Sequence, residues 1–158
     1  YCSQCHGSDA RGAKGFPNLT DKDWLYGGEP AAILASILEG RKGAMPPMGD
    51  AMGGPEGVKD MANYVLSLSG AAHDKARAER AQPKFAICGA CHGPEGKGNP
   101  QLGAPNLTDK VWLYGSSLET IAEGISGGRA NMMPAHREFL GEEKSRILAG
   151  YVYGLGAK

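Results

Sequence analysis

The chain has 158 residues, an apolar fraction of 41%, and 17 Lys and Arg against 17 Asp and Glu. Balanced charge without a basic patch argues against a nucleic-acid partner, and no apolar run is long enough to span a bilayer. With 25 glycines and only 7% aromatic residues, the side chains alone predict a thin core that a large apolar ligand would complete.

Cys2-Ser3-Gln4-Cys5-His6 opens the chain. Two cysteines separated by two residues can set both sulfurs against the vinyl groups of one porphyrin, and the histidine that follows lies where it can bind the iron. Zinc ribbons and thioredoxin-like redox pairs also use C-x-x-C, although the redox pair needs an alternating α/β pattern that is absent here. The string returns as Cys88-Gly89-Ala90-Cys91-His92, so the two copies use all 4 cysteines. Together they point to two covalently bound haem c groups, attached through Cys2, Cys5, Cys88 and Cys91, with His6 and His92 as iron ligands.

Further along, Pro17-Asn18-Leu19-Thr20-Asp21-Lys22 and Trp24-Leu25-Tyr26-Gly27 reappear as Pro105 to Lys110 and Trp112 to Gly115. Pro17 and Pro105 read as fixing a loop, one carbonyl of which could orient the outer nitrogen of the ligand histidine. Trp24, Tyr26, Trp112 and Tyr114 read as pocket walls or propionate donors, with plain packing as the alternative. Pro30 to Glu39 spaces Ile33, Leu34, Ile37 and Leu38 as one helical face, with proline in the first turn and Gly40 as the stop. Gly40-Arg41 and Met45-Pro46 follow, matched by Gly128-Arg129 and Met133-Pro134. Arg41 and Arg129 are candidate propionate partners through paired hydrogen bonds; an exposed arginine is the plain alternative. Met45 and Met133 are the candidate sixth ligands. A thioether opposite histidine favours ferrous iron and closes it to oxygen, which points to electron transfer rather than catalysis. Flexible core filling is the competing role for a methionine. Met48 and Met132 read as filler or loop, Met52 as loop and Met61 as core. His73 and His136, without counterparts in the other copy, read as solvent-facing. The order of motifs leaves open whether each methionine serves the haem of its own copy or of the other.

Val58 to Leu68 predicts a second helix, opened by Pro55 and closed by Gly70, with Met61, Tyr64, Val65 and Leu68 on one face. The repeat joins between Gly70 and Pro83, a small and polar stretch ended by a helix breaker. Residues 1–70 therefore form a first domain, 71–83 a linker and 84–158 a second domain. Arg80 to Cys88 leads into the second haem motif as a partial helix interrupted by Pro83. The first motif has only Tyr1 before it, so the natural protein is expected to continue upstream. In the second copy, Ser116 and Glu119 predict a capping box for a helix over Leu118 to Ile125, and Glu142 to Tyr153 repeats the terminal helix. No alternating strand pattern of useful length is present. The expected fold class is all-α. Each copy is of a size at which a side-chain core is marginal and a staple, here a covalent haem, is usual.

The strings C-S-Q-C-H-G-S-D-A-R-G-A-K-G-F-P-N-L-T-D-K-D-W-L-Y-G-G, I-L-E-G-R-K-G-A-M-P-P-M-G, C-H-G-P-E-G-K-G, A-P-N-L-T-D-K and M-M-P-A-H resemble the periplasmic dihaem part of the CcoP (FixP) subunit of cbb3-type cytochrome c oxidases. The likeness covers nearly the whole chain. It implies two tandem class I cytochrome c domains, each around one haem c, with Met45 and Met133 as axial ligands. It also implies a preceding membrane anchor outside this chain, a place on the periplasmic face of the bacterial inner membrane, and partners among the other oxidase subunits and a donor cytochrome c. The implied role is a non-catalytic relay of electrons towards the oxygen-reducing haem-copper centre. A soluble dihaem shuttle is the nearest alternative; a dihaem peroxidase or a gas sensor would need an open iron site.

Overall fold

The computed structural model describes residues 1–156. Its elements in chain order are α1 (Ser3–His6), α2 (Pro30–Glu39), β1 (Arg41–Met45), α3 (Gly49–Met52), α4 (Gly54–Leu68), α5 (Lys75–Ala81), a 3-10 turn (Gln82–Lys84), α6 (Phe85–His92), α7 (Leu118–Gly127), β2 (Arg129–Met133) and α8 (Arg137–Gly156). Gly141, with φ 70, interrupts α8, so the second stretch of α8 is the terminal helix expected from Glu142. The expectation of an all-α chain needs one correction. β1 and β2 form a two-stranded sheet, and at five residues each they are too short for alternation to reveal.

The chain divides into two compact units, one made of Tyr1–Lys42 with Asn131–Lys158 and the other of Gly43–Ala130. This is not the division at 71–83 expected from the repeat. That stretch contains α5, whose Ala78 and Ala81 are buried, so the repeat join lies inside the second unit rather than between units. Pro83 acts as expected, since it sits in the 3-10 turn that separates α5 from α6.

In the first unit α2 packs on α8. Their contact is a small core of Ile33, Ile37 and Ala149, joined by Trp24, Leu34, Met133, Leu140, Leu148 and Val152. Glu39 at the end of α2 pairs with Arg137 at the start of α8.

The second unit has the larger core. α4 packs against α5 and α7, burying Met61, Ala62, Val65 and Leu66 with Phe85, Ile121 and Ile125. Met52 is fully buried at the end of α3 and is therefore core, not loop. Ser117, one residue later than expected, is the cap of α7, and its hydroxyl accepts the Thr120 amide at 3.2 Å. The helix α4 starts at Gly54 rather than Val58 because Pro55 occupies its first turn, where a missing amide hydrogen costs nothing.

Candidate haem-binding sites

Each C-x-x-C-H string lies on a short helix, α1 or α6, and ends it with the histidine. Cysteines three apart on a helix emerge from one side. All four are free thiols; Cys2 and Cys91 are exposed, Cys5 and Cys88 partly buried. Burial pushes the Cys88 thiol above its ordinary pKa, so it is the less reactive kind of thiol until a partner reaches it.

The loop after each histidine is built twice to one plan. His6 O accepts the Gly12 amide at 2.7 Å, and His92 O accepts the Gly98 amide at 2.7 Å. Asn18 Oδ1 accepts both the amide and the hydroxyl of Thr20 at 2.8 Å. Asn106 does the same for Thr108, at 2.9 and 2.8 Å. These Asx turns explain the repeated P-N-L-T string, because they fix the proline immediately before them. The fixed carbonyls are used: His6 Nδ1 donates to Pro17 O at 2.8 Å and His92 Nδ1 to Pro105 O at 2.9 Å. A carbonyl only accepts, so Nδ1 carries the proton and Nε2 is left with its lone pair. That is the state in which an imidazole binds a metal, with its ring orientation set by the second nitrogen.

The two expected methionine ligands stand in comparable settings. Met45 packs against the core that contains Ile121 and Ile125, as do Cys88 and Trp112. Met133 packs, with Trp24, against Ile33, Ile37 and Ala149. Met132 is exposed at 73% and lies in β2, so it is neither the core filler nor the loop residue expected of it. The residues fit a haem on the chemistry of their donors: paired thiols one helical turn apart, an imidazole with Nε2 free, and a thioether in the same compact unit. Among the described residues no group of three or more His, Cys, Asp or Glu is placed to hold a metal ion.

Several features were not legible in the sequence. The Arg41 guanidinium lies over the Tyr26 ring at 4.6 Å and donates to Ser36 Oγ at 2.8 Å. Arg129 lies over Tyr114 at 4.5 Å and donates to Thr120 O at 2.9 Å. Each arginine is thus tied to its own helix and ring; the equal sequence separation of the two Tyr and Arg pairs was the available signal. His73 is partly buried, with Nδ1 donating to Ala71 O at 2.8 Å, and does not face solvent freely. His136 is also partly buried, and its Nδ1 is buried without a hydrogen-bond partner.

Residues 1–65 and 77–152 match the family described as "Cytochrome C oxidase, cbb3-type, subunit III". The chain belongs to that family. It is 53% identical over 154 residues to the cbb3-type cytochrome c oxidase subunit CcoP of Rubrivivax gelatinosus, covering 98% of this chain and 51% of that protein. It is 45% identical over 166 residues to the cbb3-type cytochrome c oxidase subunit FixP of Bradyrhizobium sp. (strain ORS 278), covering 98% of this chain and 57% of that protein. The chain therefore spans about half the length of these family members. The two matched segments each contain one C-x-x-C-H string, so the family likeness follows the internal repeat. Among the described residues no helix is long and apolar enough to cross a membrane.

Proposed function

We propose that this chain is the dihaem electron-transfer part of a cbb3-type cytochrome c oxidase subunit. It carries one haem c on Cys2 and Cys5 and a second on Cys88 and Cys91. His6, His92, Met45 and Met133 are the residues that would bind the two irons. A bound haem c supplies an iron that takes up and releases one electron at a time. The chain's own work is to hold that iron closed and in a fixed environment. The Pro17 and Pro105 carbonyls lock the histidine rings, and a thioether in the remaining position excludes oxygen and raises the potential relative to two histidines. On this reading the chain acts as an electron-transfer component and is not catalytic on its own. Electrons enter from a donor cytochrome c on the periplasmic face and leave towards the haem-copper centre through other oxidase subunits. Attachment to the membrane comes through a segment outside this chain.

The observation that carries this reading is the twofold occurrence of one ligand geometry, His6 Nδ1 to Pro17 O at 2.8 Å and His92 Nδ1 to Pro105 O at 2.9 Å. Two sites built alike suit a relay, whereas a peroxidase needs two unlike irons. The test is a haem count and spectrum on protein made with the haem-attachment machinery. Pyridine haemochrome analysis is expected to give two haems c per chain, both low-spin, with the sulfur-to-iron band at the red edge of the visible spectrum. One haem per chain, or a high-spin signal in the oxidised protein, would overturn the proposal.

A further inference from the structure

We infer that His136 is a haem-positioning residue: its Nδ1–H donates to a propionate carboxylate of the haem that Met133 binds, a hydrogen bond that the other haem does not receive. This rests on the haem c and His/Met readings above and adds a residue outside the C-x-x-C-H and Met-Pro motifs.

The imidazole is held at its root. The His136 amide donates to Ile37 O at 3.0 Å, and the His136 carbonyl accepts the Leu140 amide at 2.8 Å, so the backbone is fixed on both sides of the side chain. Within that frame Nδ1 is the one buried side-chain nitrogen or oxygen among the described residues that lacks a hydrogen-bond partner. A polar atom in that state costs free energy, and native proteins keep such atoms where a ligand, ion or water completes them.

The other repeat shows that packing alone does not ask for a polar atom here. Met48 follows Met45 by three residues as His136 follows Met133, and its amide donates to Ile125 O at 2.8 Å in the same way. The Met48 side chain packs on the core that contains Ile121 and Ile125 and brings no donor that needs a partner. A methionine would therefore serve at position 136 if filling space were the only demand.

What completes Nδ1 follows from what a haem offers. An N–H needs an acceptor, and the acceptors on a haem c are its propionate carboxylates, since histidine and methionine take the iron. The nearby arginines are already engaged. Arg41 gives Nε to Ser36 Oγ at 2.8 Å and Nη2 to Ala32 O at 3.3 Å, with its guanidinium over the Tyr26 ring, and Arg137 pairs with Glu39. An N–H on a carboxylate makes a charge-assisted bond. By damping negative charge beside the porphyrin it favours ferrous iron and raises the potential of this haem alone.

The test compares the intact two-haem protein with His136→Met, which copies the residue of the other repeat, and with His136→Asn, whose side-chain amide keeps a donor near the place of Nδ1. Redox titration reads both potentials, and resonance Raman spectroscopy reads the propionate bending modes. In the parent, a slowly exchanging proton on His136 Nδ1 is expected to show nuclear Overhauser contacts to propionate methylene protons of the haem whose axial methyl is that of Met133. His136→Met is expected to lower one potential, leave the other in place and shift one propionate mode, while His136→Asn returns the potential towards the parent value. Unchanged potentials and modes, with the Nδ1 proton in fast exchange, would overturn the inference and make water the partner. A changed sulfur-to-iron band with unchanged propionate modes would also overturn it, because His136 would then act on the Met133 thioether. Should His136→Met fail to fold, the Overhauser contacts in the parent decide alone. Fewer than two haems, or no methionine ligation, in the parent would instead overturn the ligand reading, which keeps the two failures apart.

Discussion

Gly128 and Gly40 bear directly on whether the methionine loops can take their positions. Both have left-handed φ, +72 and +70, and both lie where a Cβ would collide with a backbone carbonyl at 2.4 Å. That carbonyl belongs to main chain, so a larger residue moves the whole loop rather than a side-chain tip. Gly128→Ala is expected to cost about 1–3 kcal/mol from strain and clash together and to displace the Met45 loop. The check is the sulfur-to-iron band, which should fall to about half when one of two equivalent ligands is lost. Full amplitude with unchanged thermal stability would contradict it. At this scale the sequence was informative where chemistry is local. C-x-x-C-H names its own ligand, and the need of a ligand histidine for a second partner pointed to a carbonyl in the proline loop, which is that of Pro17 or Pro105 itself. It was silent on His136 because the backbone bond of that residue depends on a helix about a hundred residues away.

Between elements, α4 is tied to α5 by ion pairs centred on Asp60, with Glu56 adding a further one to Arg77. Asp60 on α4 accepts from Arg77 Nη1 at 2.8 Å and from Arg80 Nε and Nη2 at 2.9 and 3.0 Å, both arginines being on α5. The Arg80 hydrogen bond, with smaller help from its charge and from Arg77, holds the Asp60 carboxyl below the ordinary aspartate pKa against the opposing effect of burial. A carboxylate with a lowered folded-state pKa stabilises fully above its unfolded value, and that stability disappears as pH falls through the folded value. Asp60→Asn is therefore expected to lower stability by about 1–2 kcal/mol at neutral pH, since partly exposed ion pairs are worth little each but this one is shared and forked. The difference from the parent should close as the pH drops below the ordinary aspartate range, as read by denaturant unfolding at several pH values. A constant difference down to strong acid would show that the pairing does not act through charge. The elements legible in advance, α2, α4, α7 and the second stretch of α8, are those with an apolar face and a proline, serine or glycine at their ends. α5 was hidden because its buried residues are two alanines in a polar string, and β1 and β2 because each is five residues long and the alternating burial of β1 falls on charged and small residues that do not display it.

For the molecule as a whole, the repeat was visible in the sequence, but the assembly of each compact unit from segments of both copies was not. The reason is physical: duplicated loops and duplicated helix ends offer the same contacts, so Ile37 and Ile125 are equally good caps for either methionine loop, and local chemistry cannot select. Long-range assembly makes the choice, and it changes which piece of chain should stand alone. The unit Gly43–Ala130 is continuous in sequence and includes α4, α5, α6 and α7 with the whole larger core. The second sequence copy, 71–158, carries the same Cys88-to-His92 string but lacks Met45 and the α4 face that α5 and α7 bury. A covalent haem can staple a domain near this size only if the side-chain core around it is present. Produced with haem attachment, the 43–130 fragment is expected to bind one haem, unfold cooperatively and keep the sulfur-to-iron band, whereas 71–158 should lack that band and melt far lower or not fold. Should 71–158 be the stable, methionine-ligated fragment and 43–130 the defective one, each repeat closes on itself and the division into shared units is wrong.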